Sequence, residues 1–343
     1  MDFVGIGDLH LTDNNGIGGL ASYLLDSDRY VISEVKRVLN WASDRGIRNV
    51  FLYGDICDSH RLSYRAMSYL ISLFRNNPDF QFFVIPGNHD MEGETKIRKK
   101  VIDEQAKAQH SLELLMKVKF PNVRFLTEPE VVKIDKVPVK FCPWPCVDFH
   151  PKALNVAHIE VKGSKSDSGR VMDGDGLSKS SSVVCMGHLH TAHRVRNTYF
   201  SGTLYQTNFG ESLPKYFHHG TFNTPQDYEI NQIPFDPKYK LFNCVIESQG
   251  DVDALSRDPC HLLKVIVADG ADVVIPDLPN IVVTKAYKTK SELTSILTED
   301  LVQGQELIIK SDDFFKQWLS QREADPDVKT AAFRLRKQIL SRL

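Results

Sequence analysis

The sequence lacks a large charge imbalance, a dense set of cysteines and any long apolar run. Acidic residues outnumber basic residues by only 44 to 42, so the net charge of -2 provides no overall attraction to nucleic acid or to an anionic membrane. The apolar runs fall far short of the ~20 residues that a membrane-spanning helix needs, and no leader pattern precedes them. We therefore expect a cytoplasmic protein without a membrane segment, in which any phosphate-binding surface is local or built by metal ions.

The six cysteines are scattered along the 343 residues, unlike the disulfide framework of a small secreted domain. Cys142 and Cys146 are the only close pair, and the Pro-Trp-Pro sequence between them indicates a stiff turn. Because no second pair of cysteines or histidines follows at zinc-finger spacing, the pattern favours buried thiols over a zinc site.

Short apolar runs alternate with an amphipathic pattern, and the composition, 42% hydrophobic and 25% charged, is that of a globular enzyme. After Ser27, the expected N-cap, apolar residues recur at helical spacing: Val31, Val35, Val38 and Ala42. The apolar runs predict buried strands at Phe3 to Gly7, Ile47 to Tyr53, Phe80 to Pro86, Pro138 to Cys142, Ala153 to Ile159 and Val183 to Gly187. This alternation predicts an α/β fold, in which ligands collect beyond the carboxyl ends of the strands.

Residues of metal-binding types stand at the ends of the predicted strands: Asp8-x-His10, Gly54-Asp55-x-x-Asp58, Gly87-Asn88-His89-Asp90, Gly187-His188-x-His190 and an isolated His158. We assign Asp8, His10 and His190 to one divalent ion, Asn88, His158 and His188 to a second, and Asp55 to a bridge between them. His150 and His193 are the alternatives to His158. Mixed nitrogen and oxygen donors favour Mn²⁺, Fe²⁺ or Zn²⁺ over Mg²⁺ alone, and we expect Mn²⁺. Two ions about 3.5–4 Å apart can clamp a phosphoryl oxygen and activate water for in-line attack on phosphorus.

Three further residues of these motifs have candidate roles. His89 follows a predicted ligand but points elsewhere, so we expect it either to protonate the leaving oxygen or to steady the phosphate. Asp90 is expected to orient the His89 ring, which makes both residues candidates for catalysis. Asp58 is either a turn residue or a hydrogen-bonding partner of a metal ligand.

These motifs resemble those of the calcineurin-like metallophosphoesterases, and within them the chain is similar to SbcD-type DNA exonuclease subunits, most of all to the compact, phage-encoded ones. The resemblance rests on Asp8-Leu9-His10-Leu11, Gly54-Asp55-Ile56-Cys57-Asp58, Gly87-Asn88-His89-Asp90, Gly187-His188-Leu189-His190 and Ser201-Gly202-Thr203. It implies a β-sandwich flanked by helices, a small α/β capping domain and C-terminal helices. It also implies a Mn²⁺-dependent exonuclease on double-stranded DNA, with endonuclease activity on single strands or hairpins, in which His89 is the catalytic histidine.

The resemblance further implies three parts and two kinds of partner. Residues 1–240 would form the nuclease core, residues 241–290 a DNA-capping domain, and residues 291–343 a helical segment that docks on an SbcC-type, SMC-like ATPase. The protein would work as a homodimer within a heterotetramer with that ATPase. The last predicted helix carries an apolar seam that we expect to bind the ATPase: Val328, Ala332, Leu335 and Ile339. Packing of this helix against the chain's own core is the alternative.

The same metal chemistry serves several substrates, and the motifs discriminate among them in part. Protein phosphatases of this fold carry an arginine after the second motif, where this chain has Ser59, and they end the third motif with Glu, where it has Asp90. A small-molecule or cyclic-nucleotide phosphodiesterase is the first alternative, although it would not need the long C-terminal part. An assembly subunit with weak activity is the second, but all seven ligand positions are filled.

Overall fold

The structure is a computed structural model, and it describes residues 1–12, 20, 24, 26–59, 62–91, 110–166, 169–174, 182–268 and 270–285. These residues form four helices, which are α1 (Ser27–Ser43), α2 (Tyr64–Arg75), α3 (Glu113–Val118) and α4 (Gln249–Asp253). Within this part of the chain, none of the helices is both long and apolar enough to span a lipid bilayer. The segment 291–343, with the seam of Val328, Ala332, Leu335 and Ile339, lies outside the described residues.

Fifteen strands accompany the helices: β1 (Asp2–Ile6), β2 (Asn49–Leu52), β3 (Gln81–Val84), β4 (Val123–Phe125), β5 (Glu130–Ile134), β6 (Val137–Cys142), β7 (Leu154–Ala157), β8 (Val183–Met186), β9 (His193–Val195), β10 (Thr198–Phe200), β11 (Lys215–Thr224), β12 (Asp227–Phe235), β13 (Lys240–Ile246), β14 (His261–Val267) and β15 (Ile281–Lys285). All six strands predicted from apolar runs are present, with bounds that differ by a few residues. The prediction succeeds because a strand that is buried on both faces appears in the sequence as a continuous apolar run.

Two six-stranded sheets pack face to face and form the centre of the fold. The first has the order β12-β11-β1-β2-β3-β4, and the second has the order β5-β6-β7-β8-β10-β9. Strands β1 to β4 run parallel in the first sheet, and so do β6, β7, β8 and β10 in the second. The predicted β-sandwich flanked by helices is therefore confirmed, while the expected C-terminal helices lie outside the described residues.

Alternating side chains divide the core into layers, because successive residues of a strand point to opposite faces. In β1, Phe3 packs between the sheets, whereas Val4 and Ile6 pack under the helices. Phe51 of the first sheet contacts Phe141 of the second, with ring centroids 5.6 Å apart. Both faces of central strands such as β1 and β2 are thus buried, and the polar residues of the motifs follow these strands at their carboxyl ends.

Helix α1 begins one residue earlier than predicted. Its N-cap is Asp26, whose carboxylate accepts a hydrogen bond from the Arg29 amide at 3.1 Å, so the expectation that Ser27 caps the helix was wrong. Asp and Ser are equally good N-caps and stand side by side here, so local propensity could not choose between them. The predicted buried face is confirmed by Val31, Val35, Val38 and Ala42.

A third, parallel sheet of order β13-β14-β15 has a small core of its own, formed with α4 by Ile246, Val252, Leu255, Leu263 and Val265. It is tied to the sandwich through Gln206, whose amide donates to Leu241 O at 3.1 Å and accepts from Leu241 N at 2.9 Å. These strands fall in the segment predicted to be a DNA-capping domain, and that role stays a prediction.

The six cysteines are all free. Cys142 is buried and donates its Sγ hydrogen to Asp148 O at 3.5 Å, and burial raises the pKa of this thiol well above its usual range. Among the described residues, the clusters of metal-binding side chains include neither Cys142 nor Cys146. A thiol held in its neutral form is a poor metal ligand, in agreement with the buried-thiol interpretation.

A buried histidine makes the fold sensitive to acid. His218 lies between the two sheets, where its ring packs against Tyr53 and Tyr199, and burial lowers its pKa to about 3. As the pH falls below the unfolded value of about 6.5, the unfolded chain binds a proton that the folded chain rejects, so stability falls with decreasing pH. Between pH 8 and pH 5, we expect the wild type to lose about 2 kcal/mol more stability than His218→Gln, which cannot ionise.

Urea unfolding of both proteins in EDTA at the two pH values measures this difference. The EDTA keeps metal binding out of the comparison, and the other titrating groups are shared by the two proteins. An identical pH dependence in wild type and His218→Gln would show that His218 does not cause the acid sensitivity.

Candidate metal centre

The seven predicted ligands meet at one place, beyond the carboxyl ends of the parallel strands. Asp8 and His10 follow β1, Asp55 follows β2 and Asn88 follows β3, all from the first sheet. The second sheet contributes His158 after β7, and His188 and His190 after β8. The site therefore spans the edge where the two sheets meet.

The backbone is strained at four of the seven predicted ligands. Their φ angles lie in the left-handed region, at 51° for Asp8, 44° for His10, 47° for Asp55 and 81° for His188. Residues other than glycine adopt this region at a cost, and they keep it only where the surrounding structure enforces it. Such strain gathers at functional sites, and here it turns the side chains toward a common centre.

The first group of ligand atoms surrounds Asn88. Its Oδ1 lies 3.0 Å from His158 Nε2 and 2.9 Å from His188 Nδ1. Asp55 Oδ2 lies 3.1 Å from the same His158 nitrogen. Four potential donors to a metal from four different loops thus face one another.

The second group lies beside the first and contains Asp8, His10 and His190. The Nε2 atoms of His10 and His190 are 3.0 Å apart, and Asp55 Oδ2 is 3.8 Å from His10 Nε2. The Asp8 carboxylate also accepts the His188 amide at 2.8 Å, which links the two groups. Asp55 thus reaches both groups, the position required of a bridging carboxylate.

The protonation of the imidazoles fits a metal centre. His158 Nδ1 donates to Tyr53 O at 2.7 Å, and a backbone carbonyl can only accept, so Nε2 is the nitrogen that faces inward, where a metal ion would take the place of its proton. His190 Nδ1 donates to the Glu211 carboxylate at 2.9 Å and likewise turns Nε2 inward. The inward atoms are all electron-pair donors, and partners that fix a histidine from outside are typical of metal sites. These residues fit a pair of divalent ions.

His10 and His188 have carboxylates on their outer sides. His10 Nδ1 lies 3.4 Å from Asp58 Oδ1, and His188 Nε2 lies 3.5 Å from Glu160 Oε1. Asp58 therefore lies beside a predicted ligand at ion-pair distance but makes no hydrogen bond to its Nδ1. With Tyr53 O behind His158 and Glu211 behind His190, three of the four histidines, including His188, have a hydrogen-bond partner outside the centre, while His10 has the Asp58 carboxylate nearby.

The charges of the site favour a cation at its middle. Burial alone would lower the pKa of His158, but the Asp55 carboxylate raises it to about 9. Burial alone would raise the pKa of Asp55. The charges of His158 first and His10 next nevertheless hold this pKa well below its usual range. The negative potential that holds a proton on His158 is the same potential that attracts a metal ion.

Glycines before the ligands leave room for them. A Cβ atom on Gly87 would lie 2.2 Å from Asp55 Oδ1, and one on Gly54 would lie 2.6 Å from His158 Nδ1. Neither contact is sterically possible, so the ligands occupy the space that a side chain would fill. The glycines of the motifs thus belong to the geometry of the centre.

The two alternatives to His158 lie outside the cluster. His150 Nδ1 accepts the Lys152 amide at 3.1 Å. His193 uses Nδ1 toward Thr191 O at 2.8 Å and stacks on the Phe200 ring. Among the described residues, His158 is therefore the histidine that joins the predicted ligands.

The role expected of Asp90 needs correction. Its carboxylate is buried and accepts hydrogen bonds from the amides of Ile56, Cys57 and Gly87 at 2.9–3.1 Å and from the Ser111 hydroxyl at 3.0 Å. With its oxygens bound to these donors, it does not orient the His89 ring. Burial, and next the charge of Asp55, raise the pKa of Asp90 to about 6. Asp90 thus links the loop after β2 to the loop after β3, and these loops carry the predicted ligands Asp55 and Asn88.

His89 stands at the opening of the site. Its side chain is 41% exposed, and its ring lies edge-on to that of His10 with centroids 4.9 Å apart. Nδ1 donates to Asp58 O at 3.1 Å, so Nε2 is the nitrogen left for a substrate. The His89 amide donates to Asp55 Oδ1 at 2.9 Å, which fixes the residue next to the predicted ligands, and its side chain also forms a group of metal-binding type with His10 and Asp58.

Sequence reasoning missed Glu160 and Glu211, the carboxylates behind His188 and His190. Neither stands in one of the recognised motifs, and Glu211 lies 21 positions after its histidine. The available signal was weak, because an acidic residue in a loop is ordinarily solvated. Only the fold shows that Glu211 is buried.

Comparison with known proteins agrees with this geometry. A family model described as calcineurin-like phosphoesterase matches residues 1–192. The chain is also 25% identical over 226 residues to "Putative phosphoesterase 244L" of Invertebrate iridescent virus 6, an alignment that covers 60% of this chain and 76% of that protein. The matched family region contains all seven predicted ligands.

Proposed function

Because the chain belongs to the family of calcineurin-like phosphoesterases, it is a metal-dependent phosphoester hydrolase, and we propose that its substrate is DNA. In this proposal it is the nuclease subunit of an SbcCD-type repair and recombination complex. It degrades double-stranded ends as an exonuclease and cuts single strands or hairpins as an endonuclease. Mn²⁺ is the proposed metal.

The observation that carries the chemistry is the position of Asp55 between two groups of inward donors. Two ions bound there would supply Lewis-acid charge at a phosphoryl oxygen and lower the pKa of a water molecule. The chain's own residues hold the donors in place, since strained backbone, outer carboxylates and close glycines fix them before any ion binds. Preorganised donors of this kind need no rearrangement during the reaction.

The opening of the site suits a polymeric substrate. His89 and Asp58, which line it, are each 41% exposed, so a phosphodiester can reach them from solvent. The Nε2 atom of His89 is free to face the leaving oxygen or a non-bridging oxygen of that phosphodiester.

Basic side chains near the site support DNA over a small ester. Two segments follow predicted ligands or their partners: one after Glu160, in which Lys165 pairs with Val171 in an antiparallel bridge, and the β9–β10 hairpin, which begins three residues after His190. The Lys165 amide donates to His193 Nε2 at 3.2 Å and so joins the two. They expose five basic residues, Lys162, Lys165, Arg170, Arg194 and Arg196, of which Lys162 pairs with the Asp173 carboxylate at 3.2 Å. A local patch can bind a phosphate backbone despite the neutral composition.

The proposed partners are a second copy of this chain and an ATPase. The motif resemblance supports a homodimer that assembles with an SbcC-type, SMC-like ATPase. The apolar seam of Val328, Ala332, Leu335 and Ile339 is the proposed docking site on this chain. Residues 241–290 are proposed to cap the DNA.

Degradation of end-labelled duplex DNA tests the substrate. With Mn²⁺ we expect shortening of the DNA, and a weaker reaction with Mg²⁺. Arg170→Ala combined with Arg196→Ala should weaken DNA cleavage and lower the salt dependence by about 0.9 in log–log slope per lost phosphate contact, with no effect on bis(p-nitrophenyl) phosphate.

The small ester serves as the internal control for the metal chemistry. Turnover of bis(p-nitrophenyl) phosphate without any shortening of DNA would contradict the proposed substrate and favour a small-molecule phosphodiesterase. Equal losses on both substrates in the arginine variant would show that these arginines act on the site rather than on DNA.

A further inference from the structure

Glu211 is a buried carboxylate bound on all sides. Its side chain is fully buried, in the connection between β10 and β11. Oε1 accepts hydrogen bonds from His190 Nδ1 at 2.9 Å, from Asn208 Nδ2 at 3.1 Å and from the Thr207 hydroxyl. A carboxylate with three donors on one oxygen has little freedom to move.

The other oxygen of Glu211 is held by a buried lysine. Lys215 begins β11, its side chain is 3% exposed, and Nζ donates to Glu211 Oε2. Nζ also donates to Thr203 Oγ1 at 3.0 Å, and this hydroxyl passes its own hydrogen to Tyr205 O at 2.7 Å. The third contact of Nζ is with His190 O at 3.5 Å, and the β-strand fixes the position of the lysine.

Stability alone does not explain such a pair. Removing two charges from water costs about as much as their attraction returns, and apolar residues of similar volume often serve equally well. The position of the pair points to another role, because, among the described residues, its hydrogen bonds beyond its own loop and strand go to His190, whose ring donates to Glu211 and whose carbonyl oxygen lies 3.5 Å from Lys215 Nζ. The contact fixes the hydrogen on Nδ1 and turns Nε2 toward His10 Nε2, 3.0 Å away.

We propose that the Glu211–Lys215 pair positions His190, by holding its ring as the Nδ1–H form with Nε2 aimed at the second group of ligands. Lys215 acts on Glu211, and Glu211 acts on His190. The inference rests on the proposed role of His190 as a metal ligand and does not depend on DNA as the substrate.

The inference predicts an effect on one ion and not on the other. Glu211→Gln keeps the size of the side chain but removes the charge, and its amide cannot satisfy Lys215 and His190 together. We expect binding of Mn²⁺ at Asp8, His10 and His190 to weaken by about 10–100-fold. Binding at Asn88, His158 and His188 should keep its affinity, because their outer partners are untouched.

Calorimetric titration with Mn²⁺ alone measures both affinities in the absence of any substrate. Glu34→Gln is the matched control, since Glu34 is also a buried carboxylate paired with a basic side chain, Arg37, but lies on α1 away from the ligands. The control should bind both ions as the wild type does. Equal affinities for both ions in Glu211→Gln and wild type would overturn the proposal.

A second measurement reads the wild type itself and uses a variant only to assign the signal. Long-range ¹H–¹⁵N correlation in the metal-free wild type reads the protonated nitrogen of His190, with the signal assigned by its loss in His190→Gln. We expect hydrogen on Nδ1, and a neutral ring with hydrogen on Nε2 would refute the positioning role. Failure of the protein to cleave DNA would leave both readouts unchanged, so the two proposals fail separately.

Discussion

Replacing Asp55 with alanine is expected to abolish metal binding at both groups of ligands and to slow phosphodiester hydrolysis by about 10³-fold or more, since metal ions supply about 4 kcal/mol or more to such reactions. The reason is its place in the structure. Asp55 Oδ2 lies 3.1 Å from His158 Nε2 and 3.8 Å from His10 Nε2, so one oxygen serves both groups.

The measurement combines metal content after gel filtration with turnover of bis(p-nitrophenyl) phosphate. Asp55→Asn is the informative companion, because its oxygen can still accept the His89 amide that Asp55 Oδ1 accepts at 2.9 Å. The loop then keeps its shape while the charge is lost. If Asp55→Asn retained two tightly bound ions, the carboxylate would not be the bridge.

Strand-end motifs made the metal centre predictable from sequence, and the physics of buried strands is the reason. Val4 of β1 packs under the helices and Phe51 of β2 packs between the sheets, so both faces of these strands are apolar. The polar residues of the motifs therefore stand where the strands end. Asp8, Asp55 and Asn88 follow neighbouring parallel strands, and parallel strands bring their carboxyl ends together. Local sequence therefore carried the information about proximity.

The support around the centre was not predictable in the same way. Glu211 reaches His190 only because β10 pairs with β8 and the chain then returns through β11, a topology that no local pattern specifies. Asp90 stood in a motif, but its neighbours did not reveal that it would bind the amides of Ile56 and Gly87. A motif gives the type of a residue, while the direction of its side chain depends on the loops that face it.

His89→Ala is expected to keep both ions and to lose cleavage of DNA by about 10²–10⁴-fold, the usual contribution of a general acid or base. The side chain is 41% exposed and, among the described residues, its hydrogen bond goes to Asp58 O, so we expect its removal to leave the ligands in place. His150→Ala is the matched control, because His150 lies outside the cluster and bonds to the Lys152 amide. Wild-type cleavage by His89→Ala would remove this residue from the mechanism.

The dependence on the leaving group then decides which of two roles His89 has. If Nε2 protonates the leaving oxygen, the loss must be large for DNA, whose sugar oxygen leaves poorly, and small for bis(p-nitrophenyl) phosphate, whose phenolate leaves without a proton. If the ring instead steadies the phosphate, both substrates present the same non-bridging oxygens and must lose rate equally. Because the Asp58 carbonyl holds Nδ1, both roles use Nε2, and the ratio of the two losses separates them.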